Sequence, residues 1–148
     1  MRKKDLVKLL SSHYVWLLDS ARGKQINLSY SSVQKIRLDR PIFRKALLTG
    51  IELTRVSFIE ADFSYSTLKS AIISRSNMRN ADFSYCDLSG VYFDECDLRD
   101  AKFTGAILDN TDFRSSKIYG AIFDKCDTSN CHFVTMQADQ LSASEEDR

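Results

Sequence analysis

The sequence predicts a mainly β solenoid whose chain turns a corner every five residues and closes a lap every twenty, with an α-helix covering its first lap. Three observations predict it. Large apolar residues recur with a strict period of five from Leu28 to Phe133, and of the 22 positions only Thr128 departs. Two places before each of them lies a residue that is small or apolar and never charged, for example Ile26, Ala46, Ala61, Ser66, Cys86 and Ala121. Sampled every twenty residues, the large series resolves into a pure column, Phe43, Phe63, Phe83, Phe103 and Phe123, and a near-pure one, Leu28, Leu48, Leu68, Leu88 and Leu108, then Thr128. A helix repeats near 3.6 residues and a strand at 2, so neither alone sustains this pattern.

The N-terminal element, residues 1–25, reads as a capping helix and a link. Leu6, Leu10, His13/Tyr14, Leu17 and Ala21 recur at helical spacing over 4–21, and Gly23 stands where a helix terminator belongs. The helix is expected to cover the exposed backbone of the first lap, with Trp16 packed beside it or lying at a contact surface. The segment starts basic with Arg2, Lys3 and Lys4, but Lys8, Ser11, Ser12 and His13 interrupt the apolar stretch, so no cleavable secretory signal is expected. The longest apolar run, Tyr14 to Leu18, falls far short of the roughly 20 residues a membrane span needs.

The central element, residues 26–135, is the repeat. Two inward side chains per five-residue segment and four segments per lap place like residues directly above one another. With ~4.8 Å between hydrogen-bonded layers, the laps make a rod about 25 Å long. The corners agree: Gly50, Gly90, Gly105 and Gly120 all fall two residues after a large position, as do Asn80, Asp100, Asn110 and Asn130. These residue types tolerate the positive φ of tight turns. Two local disturbances are expected. Pro41 lacks a backbone donor and predicts a bulge or irregular first lap. Thr128 puts a hydroxyl in the Leu column and predicts a loosely packed last lap.

Segments such as Ala61-Asp62-Phe63-Ser64-Tyr65, Ala81-Asp82-Phe83-Ser84-Tyr85 and Cys86-Asp87-Leu88-Ser89-Gly90 resemble the A(D/N)LXX unit of the pentapeptide repeat proteins. The resemblance spans residues 26–135. It implies a right-handed quadrilateral β-helix in which the large residue and the one two before it point inward. The last element, residues 136–148, offers only Met136 and Leu141 as large apolar groups. Either it forms a short cap with an acidic tail, or a second subunit covers the last lap. Members of the topoisomerase-binding type dimerise through their C-terminal ends, so the resemblance admits a homodimer made that way.

The residue pattern argues against catalysis, and no cofactor or metal is expected. Cys86, Cys96, Cys126 and Cys131 all occupy the small inward slot and read as buried hydrophobes in a reducing compartment. Cys126 and Cys131 share a lap and are the only pair worth checking. His13 and His132 stand at opposite ends of the rod, and no phosphate loop, zinc spacing or nucleophile elbow is present. Asp62, Asp82, Asp87, Asp97 and Asp112 belong to the repeat and are expected outward, near corners. The cysteine usage points to the cytoplasm, with delivery into another cell's cytosol left open.

The outward slots carry the candidate sites. Residues 1–74 hold 13 Lys+Arg against 6 Asp+Glu, and residues 75–148 hold 8 against 14. Lys35, Arg55 and Arg75 stack along one corner, and Arg79 and Arg99 on the next face, a stripe of the kind that follows a phosphate backbone. Glu95 continues the corner column and Asp97 lies nearby, so a nucleic-acid partner is disfavoured. Acidic groups gather in the second half, from Asp94 to Asp127. Some pentapeptide repeat proteins are held to mimic DNA and bind a type II topoisomerase such as gyrase, and this is the second functional expectation. The first is a rigid protein-interaction scaffold. Tyr65, Tyr85, Ile107, Ile122, Tyr92 and Tyr119 occupy outward slots and form the candidate partner-binding surface.

Overall fold

The structure, a computed structural model, describes residues 1–134. The expected cap or acidic tail at 136–148 lies outside the described residues. Among the described residues there is one helix, α1 (Lys3–Leu18), and four short strands, β1 (Ser32–Gln34), β2 (Glu52–Thr54), β3 (Ile72–Ser74) and β4 (Tyr92–Asp94). The strands form one parallel sheet in chain order, with Val33, Leu53, Ile73 and Phe93 in register. The other three walls are held by single parallel bridges, and these too join residues twenty apart, such as Asp62 with Asp82 and Thr67 with Asp87. The fold is mainly β, a right-handed quadrilateral β-helix with an N-terminal capping α-helix.

The five-residue period has a direct hydrogen-bond cause. Along most of the rod the large residue donates its N–H to the next lap, as Leu28 does to the Leu47 carbonyl (2.9 Å) and Phe63 to that of Asp82 (2.8 Å). The residue before it donates to the previous lap, as Leu47 does to Ile26 (3.1 Å). The small residue instead closes a turn within its own lap, as Ala61 does onto Phe58 (3.2 Å). At several small slots a side-chain hydroxyl or thiol reaches one lap back to a carbonyl. Ser66 donates to Phe43 (2.6 Å), Cys86 to Phe63 (2.8 Å) and Thr111 to Leu88 (2.9 Å). The slot therefore accepts Ala, Ser, Thr or Cys, and Ser66, Cys86 and Thr111 are buried with their hydrogen bonds made.

Pro41 does not break the rod, contrary to the expected bulge. The N–H of its slot bonds no backbone carbonyl of a neighbouring lap, so the proline costs no ladder bond. Its carbonyl accepts from Asp62 N–H (3.0 Å), and the bridge of Ile42 with Asp62 keeps register. The corners take the left-handed conformation at fifteen non-glycine repeat residues, from Tyr30 to Lys125, as well as at the four repeat glycines.

The core is a stack of rings. Phe43, Phe63, Phe83, Phe103 and Phe123 lie face to face at 4.9, 5.0, 5.2 and 4.8 Å between successive centroids, tilted by no more than 8°. Phe93, Phe113 and Phe133 form a second stack at 5.2 and 5.3 Å, meeting the first edge to face. Offset stacks and edge-to-face pairs are the favoured arrangements of aromatic quadrupoles. Cover thins at the far end: Phe123, Cys126, Thr128 and Phe133 are only partly buried.

At the near end α1 lies across the first lap. It is shorter than the sequence reading of 4–21. Asp19 N–H makes the last helical bond to Val15 (2.9 Å), and the Asp19 carboxylate then accepts from Ala21 N–H (3.0 Å), turning the chain out of the helix. Ala21 is exposed rather than packed. Gly23 (φ +68°) brings the chain back beneath the helix, where a Cβ would collide with the Ser12 carbonyl, and Lys24 N–H bonds that carbonyl at 3.2 Å. Leu6 and His13 are the fully buried residues of the helix. His13 Nδ1 accepts from Ile26 N–H (3.0 Å), which leaves the proton on Nε2 to be donated to the Arg44 carbonyl (2.8 Å). The helix thus completes two backbone groups of the first lap that have no lap before them. Trp16 stacks on His13 at 5.5 Å and is half-buried.

Candidate functional site

Outward residues stand in columns on four walls, taken here in chain order. The first holds Leu47, Thr67, Asp87 and Ile107; the second is the β1–β4 sheet with Ile72 and Tyr92; the third holds Ser57, Asn77, Asp97 and Lys117; the fourth holds Ile42, Asp62, Asp82, Lys102 and Ile122. Tyr65 and Tyr85 stack on the corner between the fourth and first walls, 5.1 Å apart and 17° from parallel, with the Arg44 guanidinium 5.3 Å from the Tyr65 centroid. They are 51% and 47% exposed, and Ile107 on the adjoining wall is 52% exposed. Tyr65 and Tyr85 share a corner, and Ile107 stands on the wall that begins there. Ile122, on the fourth wall, is half-buried. Tyr92 lies on the opposite, second wall, and Tyr119 follows Ile118 at the far edge of the third. The six tyrosine and isoleucine candidates therefore occupy more than one surface.

The tyrosine corner has a structural cause as well. Gly105 (φ +66°) is the next member of its column, and a Cβ there would fall 2.5 Å from the Tyr85 ring. Tyr30 covers Gly50 in the same way on another corner. A tyrosine twenty residues before a glycine was the sequence signal for this packing, and counting corner residues alone does not find it. The ring faces are turned along the rod, so the corner presents ring edges and hydroxyls outward.

The basic stripe is divided by ion pairs. Lys35, Arg55 and Arg75 hold one corner, all at positive φ, but Arg75 meets Glu95 at 3.4 Å. Arg99 binds Asp97 through two bonds, at 2.9 and 2.7 Å, and this hydrogen-bonded guanidinium holds the Asp97 carboxyl below its usual range. Arg114 does the same to Asp112. Arg79 is half-buried, its Nε without a hydrogen-bond partner. The repeat aspartates are occupied locally: the carboxylates of Asp62, Asp82, Asp87, Asp97 and Asp112 each accept from the N–H two residues on, at 2.9 to 3.2 Å. That bond shapes the corner and accounts for Asp or Asn before the large residue.

Burial pushes the Cys86 thiol up to about 12 and that of Cys96 to about 11, which suppresses the thiolate. Cys126 and Cys131 are free thiols whose sulfurs donate to the Phe123 (2.9 Å) and Leu108 (3.3 Å) carbonyls. Among the described residues no three His, Cys, Asp or Glu side chains are placed to hold a metal ion, and no helix is long and apolar enough to cross a membrane.

Comparison with solved structures places the same architecture elsewhere. Trypsin-treated QnrB1, a plasmid-mediated fluoroquinolone resistance protein, superposes with a TM-score of 0.56 at 18% identity, covering 74% of each chain. A pentapeptide repeat protein from the Arabidopsis thaliana thylakoid lumen gives 0.53 at 20% identity, over 77% of this chain and 72% of the other. These likenesses show the fold. No curated protein sequence matches the chain. The family model for a pentapeptide repeat region matches residues 48–123, just over half of the chain and the part where the columns are most regular. This chain belongs to the pentapeptide repeat family.

Proposed function

We propose that the protein is a non-catalytic interaction rod that presents a rigid side wall to a protein partner. One observation carries this reading: Tyr65 and Tyr85, stacked on one corner, and Ile107 on the adjoining wall are each about half exposed, on a backbone fixed by bonds to the laps on either side. Such side chains lose little rotamer entropy on binding because the stack already holds them, and exposed aromatic groups are the usual anchors of protein contacts. The thiols of the inward slot fit a reducing compartment, the cytoplasm of the producing cell or of a recipient.

The test is a pull-down with the wild type and with a triple variant, Tyr65→Ala, Tyr85→Ala and Ile107→Ala, after both are shown to melt cooperatively. Loss of a specific partner from the variant supports the patch. Undiminished recovery sinks it.

Mimicry of DNA toward a type II topoisomerase such as gyrase is the weaker reading. It needs a continuous acidic surface, and here Glu95, Asp97 and Asp112 are each paired with an arginine while the first half of the chain is basic. A supercoiling assay decides it, since inhibition at micromolar protein would restore the mimic. A homodimer through the C-terminal end is a separate question that light scattering answers.

A further inference from the structure

The rod has a second feature unlike its side walls. Where α1 crosses the first lap, Val7, Leu10 and Tyr14 of the helix face Leu38, Pro41 and Ile42 across a groove of about 350 Å³. Its walls remain open to solvent: Val7 and Tyr14 are 42% and 49% exposed, and Ile42 is 37% exposed. The helix turns Leu6 and His13 inward to cap the lap, so Val7 and Tyr14 are not needed for the cap. An apolar recess of this size takes one or two bulky side chains.

Charge states what kind of chain brings them. Residues 1–45 carry 11 Lys+Arg against 3 Asp+Glu. Lys3 and Lys4 lie one helical turn before Val7 on the same face, and exposed Arg37 and Arg40 flank Leu38 and Pro41. Of the three carboxylates, Asp5 is taken up by Arg2 (2.7 Å), Asp19 accepts from Ala21 N–H at the end of the helix, and Asp39 lines the groove itself. Arg40 is paired with Glu60 from the next lap (2.8 Å), which leaves Lys3, Lys4 and Arg37 against Asp39, a net positive balance beside the groove.

We propose that this groove binds an acidic segment of a partner protein, one that sets bulky apolar side chains between its carboxylates. A concave recess suits side chains inserted from a partner chain. A lipid surface would call for apolar groups that protrude, so the groove's shape argues against membrane docking. The proposal rests on the reading of the chain as a protein-binding rod and adds an end site to its side wall.

The test uses two fluorescent synthetic peptides with the same leucine anchors, one with glutamate and one with lysine between them, measured by anisotropy against the full chain. The glutamate peptide binds and loses affinity as salt rises, and the lysine peptide does not bind. Ile42→Glu and the double change Lys4→Glu with Arg37→Glu each weaken binding about tenfold or more, at positions exposed enough to leave the fold intact. Ile72→Glu, on the second wall, leaves affinity unchanged. The proposal is overturned by equal binding of the lysine peptide, by an unaffected Ile42→Glu variant, or by capture of phosphatidylserine vesicles in place of the peptide. Failure here with continued partner loss in the Tyr65, Tyr85 and Ile107 variant removes the groove and leaves the rod reading standing. Failure of both removes the rod reading as well.

Discussion

Acid should loosen the cap through one side chain, His13. The imidazole is fully buried, accepts from Ile26 N–H at Nδ1 and donates from Nε2 to the Arg44 carbonyl. Only the neutral form does both. A proton on Nδ1 sets two N–H groups against each other, which forfeits a hydrogen bond and strands a buried donor, a penalty of about 2–4 kcal/mol. Burial accordingly lowers the His13 pKa from its ordinary value, with the bond to Arg44 opposing in part. The unfolded chain therefore takes up the proton first. Stability from this group is complete above an ordinary histidine pKa of about 6.5 and drains away as pH falls through that value toward the folded one. The comparison is His13→Asn, whose side-chain oxygen can still accept from Ile26 but which does not titrate. Urea denaturation should show it about 1–2 kcal/mol less stable at pH 8, having lost the bond to Arg44. Between pH 7 and 5 the wild type should lose stability more steeply, and the protection factor of the Ile26 amide should fall only in the wild type. Parallel slopes for the two proteins would refute the reasoning.

Other outcomes follow from the same geometry. Phe83→Ala should cost about 3–5 kcal/mol, since the ring is fully buried between Phe63 and Phe103, whereas Asp82→Ala forfeits one Asx bond and about 1 kcal/mol. Equal melting shifts would reverse the inward and outward assignment. Gly105→Ala and Gly90→Ala both force alanine to positive φ, at about 1 kcal/mol each, but only Gly105 lies under a ring. Gly105→Ala should therefore be the more damaging, and adding Tyr85→Ala should recover the excess in a double-mutant cycle. Cys86 and Cys96 should resist a thiol reagent at pH 8 in the folded protein and react at once in denaturant, as followed by mass spectrometry.

The rod was legible because every side chain that builds it repeats. Phe43 through Phe123 announce one wall, and Ser66, Cys86 and Thr111 announce the small slot, since each answers a local backbone need that recurs with each lap. What broke the pattern was harder to read. Pro41 looked like a defect because its missing donor was counted without knowing that its slot donates to no backbone carbonyl of a neighbouring lap. His13 looked like an ordinary helix residue because its two partners, Ile26 and Arg44, lie 13 and 31 residues away and outside any period. Surface readings suffered most. Tyr92 and Tyr65 fill outward slots alike, but sidedness separates them, and Glu95 reads as an interruption of the basic column until its carboxylate is seen on Arg75.

The uniform register makes the molecule an indexing device. Each pentad is a quarter turn, and the large core-facing slot holds Phe, Leu, Ile, Met or Val at different laps. Inserting one pentad at a mid-rod corner would advance everything downstream by a quadrant, moving Tyr85 away from Tyr65 while keeping a bulky side chain at every storey. Inserting four pentads would restore the alignment and lengthen the shaft by a single storey of about 4.8 Å. Spacing and azimuth of surface groups are thus adjustable independently, in whole-number steps, by duplication alone.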